Sequence, residues 1–239
     1  MVELSKLCRR VGGGVDAPLL AAMVHARRGE RVLELGAGCA QAAALIANRS
    51  PDLSVDALER QPELVAEGRQ RLKQLGLDGR VRLMEGDLRQ RDPQLAWGAY
   101  DHVLFNPPFF HPATHRRPPD PIRAAARMAL HGDLSDFCQA AADALLPTGQ
   151  GVLIHRPEMW REIQKALQLV GLSASGWVPV VASPQHAEPS LLLVCFTKQD
   201  DVEKQSYEPL VLRDRGGEES LQLQRILRGE VYDPTLNGQ

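Results

Sequence analysis

Apolar positions along the chain fall into two rhythms. Short runs at Arg31-Val32-Leu33-Glu34-Leu35, Leu53–Leu58, Arg80–Met84 and Tyr100–Phe105 are rich in apolar residues and read as strands. Between them the spacing lengthens to that of helices. Cys39–Asn48 is alanine-rich and stopped by Ser50-Pro51-Asp52, and Gln61–Leu75 is amphipathic, with Leu64, Ala66, Leu72 and Leu75 as candidate inward residues and Gly76 as terminator. Ahead of the first strand, Asp16 is a plausible N-cap with Pro18 in the first turn of a helix running to about Arg28. Six prolines between Pro107 and Pro121 make Phe110–Pro121 a loop. Beyond it the pattern predicts a helix from about Ile122 to Leu146 broken near Gly132, a strand at Gly151–His155 and a helix at Glu158–Val170. Strands at Ser173–Val181 and Leu191–Thr197 follow, then a polar stretch Lys198–Tyr207 and a short helix at Ser220–Leu227.

Strands alternating with helices imply a parallel sheet covered on both faces, and two final strands with no helix between them imply a hairpin at one edge. The fold class is therefore α/β: a doubly wound, Rossmann-like, seven-stranded and mostly parallel sheet with a C-terminal antiparallel hairpin strand. One domain is expected over residues 1–239. Residues 1–30 form a lid segment and helix, 31–199 the core, and 200–239 a C-terminal extension. Composition adds little, with 44% hydrophobic and 24% charged residues suiting a globular chain. No apolar run reaches the roughly 20 residues a membrane span needs, so no membrane partner is expected. Arg9-Arg10 is not expected to start an export signal, because Asp16 and Pro18 interrupt the stretch after it and Arg27-Arg28 close it without a cleavage site. Cys8, Cys39, Cys138 and Cys195 are far apart, with no zinc spacing, so free thiols, a reducing cytoplasm and no metal are expected. A net charge of -2 gives no global attraction for nucleic acid, so any such role rests on a local basic patch.

The strand tips carry the first chemistry. Glu34-Leu35-Gly36-Ala37-Gly38 ends the first strand and opens a helix, where glycines let the chain turn and let a ligand approach the backbone. The dinucleotide fingerprint wants glycine or alanine at position 41, and this chain has Gln41, which disfavours a dehydrogenase. Glu59, 25 positions after Glu34, ends the second strand, where a carboxylate accepts from a ribose diol. Asp87 follows the third strand, placed to accept from an adenine amine, with Arg60 and Leu88 beside these two acids. Acids at three successive strand tips favour S-adenosyl-L-methionine over a dinucleotide.

Asn106-Pro107-Pro108-Phe109 follows the fourth strand. Each proline removes an N–H and restricts the residue before it, giving a stiff loop. An exocyclic amine is a poor nucleophile because its lone pair is delocalised into the ring. The Asn106 side-chain oxygen and the Pro107 carbonyl are two acceptors that can bind both amine hydrogens and turn the lone pair toward a methyl donor, a catalysis of positioning and fixed dipoles. Pro108, Phe109 and Phe110 face the target, Phe109 offering a stacking surface worth on the order of 1–3 kcal/mol.

The chain resembles the bacterial tRNA1(Val) adenine-N6 methyltransferases, small-domain members of the class I S-adenosylmethionine-dependent enzymes. The likeness runs through Gly14-Val15-Asp16-Ala17, Glu34-Leu35-Gly36-Ala37-Gly38, Glu59, Gly86-Asp87, Asn106-Pro107-Pro108-Phe109 and Pro209-Leu210-Val211-Leu212. It implies that Gly14 and Asp16 close over the cofactor and that the acceptor is adenine 37 of tRNA1(Val), beside the anticodon. Phe109 stands where several relatives have tyrosine, and the arm many relatives carry ahead of Gly14 is expected to be mostly missing.

Arg116, Arg117, Arg123 and Arg127 follow the Asn106 loop, with His111, His115 and His131 among them and Asp120 nearby, and the first three are the candidate phosphate contacts for RNA. Arg9, Arg10, Arg27 and Arg28 form a second candidate patch. His102 and His155 read as core or rim residues, and Trp97, Trp160 and Trp177 as packing. Guanine-N2 methylation of ribosomal RNA, glutamine-N5 methylation of a protein, and a non-catalytic module binding S-adenosylmethionine and RNA remain alternatives. The oligomeric state is left at monomer or homodimer.

Overall fold

The computed structural model describes residues 14–108, 132–200 and 202–232. Its centre is a nine-stranded sheet of order β3-β2-β1-β4-β5-β7-β6-β8, with β9 also paired to β6. The strands are β1 Arg31–Leu35, β2 Ser54–Glu59, β3 Val81–Glu85, β4 Tyr100–Phe105, β5 Leu145–His155, β6 Ser173–Ser183, β7 His186–Thr197, β8 Gln205–Ser206 and β9 Leu210–Val211. The helices are α1 Asp16–Ala22, α2 Gln41–Ala47, α3 Pro62–Gln74, α4 Leu134–Ala144, α5 Trp160–Leu169 and α6 Leu221–Leu227. Pairing from β3 across to β5 is parallel, and β7 lies antiparallel between β5 and β6. The seven long strands form the mostly parallel, doubly wound sheet that the sequence predicts, with β7 as its antiparallel member. Of the two short strands, β8 comes from the polar stretch, which has no apolar period to announce it, and β9 is two residues of Pro209-Leu210-Val211-Leu212.

Each strand sends alternate side chains to opposite faces, so two cores form. Val32, Ala57, Leu104, Ile154 and Leu193 pack beneath α1, α2, α3 and α6. Leu33, Leu35, Leu58, Val103 and Phe105 pack beneath α4 and α5. Trp160 and Trp177 pack against each other with ring centroids 4.7 Å apart, and the Trp97 indole donates to the Asp92 carbonyl at 2.8 Å.

Several boundaries moved. Helix α1 ends at Ala22 instead of running to Arg28, and its N-cap is Val15, so Asp16 is the first helical residue and makes no capping bond. The inward face of α3 is Val65, Gly68 and Leu72, while Leu64 and Leu75 are only half-buried and Ala66 is exposed. Gly68 turns the helix that way, because a Cβ there would stand 2.5 Å from the Leu83 side chain and 3.1 Å from the Cys39 carbonyl carbon. The described part of the helix expected to end at Leu146 stops at Ala144, and Leu145 opens a β5 longer than the expected strand. An Asp133–Asp136 capping box starts α4. The expected polar connection around Pro184 and Pro189 is mostly strand, since β6 and β7 pair as far as Ser183 and His186.

Candidate active site

Strand order reverses between β1 and β4, and the loops leaving their carboxyl ends frame one cleft. Leu35 passes directly into Gly36-Ala37-Gly38, with φ of +66° and +53° at the two glycines. Position 36 requires glycine twice over: its backbone is left-handed, and a Cβ would stand 2.9 Å from the Phe137 ring on α4. Around Gly38 a Cβ would meet nothing within 4 Å, so the turn presents bare backbone.

Glu34 lies beneath this turn and is only 6% exposed. Its Oε2 accepts the Ala43 N–H at 2.8 Å, tying down the first turn of α2, whose N-cap is an alanine without a capping side chain. Burial, reinforced by the nearby Glu59, pushes its carboxyl up to about 8 against the pull of that hydrogen bond. Glu34 does not line the cleft. Glu59 does, and both its oxygens are oriented by backbone: Oε2 accepts from Gly38 N–H and Oε1 from Gln61 N–H, each at 2.8 Å.

Asp87 reaches the same cleft already paired. Arg89 donates to its two oxygens at 2.9 and 2.7 Å, Arg60 stands 3.6 Å away, and these hydrogen bonds hold the carboxyl below its usual range. Asn106 is exposed at the end of β4, followed by buried Pro107 and half-buried Pro108. Asp16 opens α1, and burial raises its carboxyl above its ordinary value against the opposing pull of the Asn106 side chain. Gly14 is adjacent, 3.5 Å from Asp16 Oδ1 measured from where its Cβ would be.

Gly36, Glu59, Arg60, Asp87, Leu88, Asn106 and Pro108 thus share one cavity of about 240 Å³ with Leu58, Gln61, Gly86 and Phe137. Phe137 escaped the sequence reading, and its signal was slight: an aromatic just after the capping box. Arg89 was missed because a charge two positions from an acid is unremarkable in sequence. His102 Nε2 pairs with Glu30 at 2.9 Å, and His155 is buried with its Nδ1 accepting from Arg156 N–H, so both serve the framework. Arg28 pairs with Asp52 at 3.5 Å. Phe109, Phe110, Arg116, Arg117, Arg123 and Arg127, with Cys8, Arg9, Arg10, His111, His115, Asp120 and His131, lie outside the described residues. Among the described residues no three His, Cys, Asp or Glu side chains form a metal-binding group, and no helix is long and apolar enough to cross a membrane.

The family described as methyltransferase small domain matches residues 13–156, which span the glycine turn, Glu59, Asp87 and Asn106. The chain belongs to the methyltransferase small-domain family. The tRNA1(Val) (adenine(37)-N6)-methyltransferase of Trichodesmium erythraeum (strain IMS101) is 27% identical over 196 residues, covering 80% of each chain. The enzyme of that name from Aeromonas salmonicida (strain A449) is 31% identical over 163 residues, covering 68% of this chain and 66% of its own. A predicted O-methyltransferase, protein Atu636 from Agrobacterium tumefaciens, shares the fold with a TM-score of 0.73 at 24% identity, covering 91% of this chain and 98% of that one.

As a member of this family the chain is an S-adenosylmethionine-dependent methyltransferase. The cleft fits that cofactor, with bare backbone at Gly38 for close approach and an oriented carboxyl at Glu59 for hydroxyl donors. When bound, the cofactor supplies an electrophilic methyl group.

Proposed function

We propose that this methyltransferase acts on the exocyclic N6 amine of adenine in RNA, specifically adenine 37 of tRNA1(Val), in the cytoplasm. The observation that carries the proposal is the exposed Asn106 amide, at the edge of the cofactor cleft and backed by a buried proline. An acceptor there binds one amine hydrogen, the Pro107 carbonyl binds the other, and the nitrogen turns its lone pair toward the methyl group. The names borne by the relatives from Trichodesmium and Aeromonas support the same acceptor.

In this reading the Gly36-Ala37-Gly38 backbone and the Glu59 carboxyl hold the cofactor's nucleoside. Arg60, Asp87 and Leu88 border its base, and Gly14 and Asp16 close the near side. Glu34 contributes from below, by fixing the start of α2. Pro108, Phe109 and Phe110 face the target base, and Arg116, Arg117 and Arg123 hold phosphates around it.

The test is direct. The protein is incubated with total RNA and labelled cofactor, and the digested nucleosides are identified by mass spectrometry. Label in N6-methyladenosine, confined to position 37 of tRNA1(Val), is the expected result. Label in N2-methylguanosine, or in protein, refutes the adenine assignment.

A further inference from the structure

We propose that Arg89 is a specificity-determining residue for the cofactor: it competes with the adenine amine of S-adenosylmethionine for the Asp87 carboxylate. The inference rests on the reading above in which Asp87 borders the cofactor's base, and it sets how strongly that base is held.

The strand order fixes which end of the cleft takes the base. The tips of β3, β2, β1 and β4 stand side by side and carry in turn Asp87, Glu59, Gly36 and Asn106, all lining one cavity. A nucleoside whose ribose is held at Glu59, and whose methyl group is delivered at Asn106, puts its base at the Asp87 end.

An ionised carboxylate offers about four lone-pair directions, two on each oxygen. At Asp87, Oδ1 accepts the Arg89 backbone N–H at 3.1 Å and Arg89 Nε at 2.9 Å, which fills it. Oδ2 accepts Arg89 Nη2 at 2.7 Å, and Arg60 Nη1 stands 3.6 Å from the same oxygen, beyond hydrogen-bond reach. The base is left with one direction, on an oxygen already bonded to a cation. A neutral amine therefore meets a charged rival on the acceptor it needs. The Arg89 side chain is 32% exposed, so water can receive whatever bond it gives up. Arg89 thus holds the amine's contribution down and keeps the cofactor exchangeable.

Two probes isolate the amine: S-adenosylhomocysteine, and its analogue with hydrogen in place of the 6-amino group. Dissociation constants are measured by calorimetry for the wild type and Arg89→Met, which keeps the chain length and removes the guanidinium. Both probes carry the same charges, so the lost charge of Arg89 cancels in the ratio of the two constants. Arg89→Met is expected to widen the preference for the amine-bearing probe by about three- to fivefold, the scale of an exposed ion pair. A ratio that stays the same or narrows overturns the proposal.

The second readout uses the wild type alone. The Arg89 Nε–H resonance, identified by its disappearance in Arg89→Lys, should move further with the amine-bearing probe than with the analogue. Equal movement with both overturns the competition. If the wild type binds the two probes equally well, the placing of the adenine amine at Asp87 fails and the proposal falls with it. If the wild type prefers the amine and Arg89→Met leaves that preference unchanged, the placing stands and the proposal alone is lost.

Discussion

Replacing Glu34 by glutamine should change how stability depends on pH, because Glu34 is a buried acid that titrates far from its ordinary range. Its carboxyl is pushed up to about 8 from 4.5, chiefly by burial. Between those values the folded chain retains a proton that the unfolded chain has released. Stability is therefore fullest below about pH 4.5, falls as pH rises, and levels off above about pH 8. The slope is about 1.4 kcal/mol per pH unit, so from pH 5.5 to 7.5 the wild type loses about 3 kcal/mol through this one group. Glutamine keeps an acceptor for the Ala43 N–H and cannot ionise. Urea unfolding of both proteins at half-unit pH steps gives the difference directly. Wild type should gain on Glu34→Gln by about 3 kcal/mol as the pH drops across that interval. Parallel stability curves for the two proteins would refute the buried-acid argument.

Three further outcomes are expected. Asn106→Ala should abolish methyl transfer while cofactor affinity, measured by calorimetry, stays within a few fold; full activity would remove the amine-positioning mechanism. Arg49→Met removes the guanidinium hydrogen bonds to the carbonyls of Ala21, Val24 and Gly229, and should destabilise the fold by about 3 kcal/mol in thermal unfolding. Neutralising Arg116 and Arg117 together should weaken RNA binding and flatten its dependence on salt, read from titrations at several ionic strengths.

The sheet was legible because buried parallel strands leave a plain signature. Arg31–Leu35 and Tyr100–Phe105 coincide with β1 and β4 to the residue, since each is an apolar-rich stretch that runs into a glycine or proline turn. The α3 face was misread because apolar residue type stood in for position: Ala66 is apolar yet exposed, whereas Gly68 has no side chain and lies at the tightest contact. At the cleft, residue identities along the chain brought Gly36, Glu59, Asp87 and Asn106 together. They could not separate Glu34 from Glu59. Both are acids at strand ends, and only the sheet shows that one points under the glycine turn while the other faces the cavity. Nor could they show that Arg89 holds Asp87, which sets the charge that side of the cleft presents.

The C-terminal segment belongs to the same mechanical unit as the cleft, although its residues lie far from it in sequence. Helix α1 has seven residues, too few to hold its own direction in water, so its aim must come from what grips it. Arg49 ties its last turn to the Gly229 carbonyl, Tyr232 N–H bonds to the Ala22 carbonyl at 2.9 Å, and His25 Nε2 meets the Tyr232 carbonyl at 2.9 Å. These bonds gather at one end of the helix, and Asp16 is at the other. A loosening at Gly229–Tyr232 lets the helix pivot, and the displacement grows along its length toward Asp16. Damage to the tail should therefore appear as lost orientation of helix α1 before it appears as lost sheet structure, because the sheet's own hydrogen bonds do not pass through that anchor.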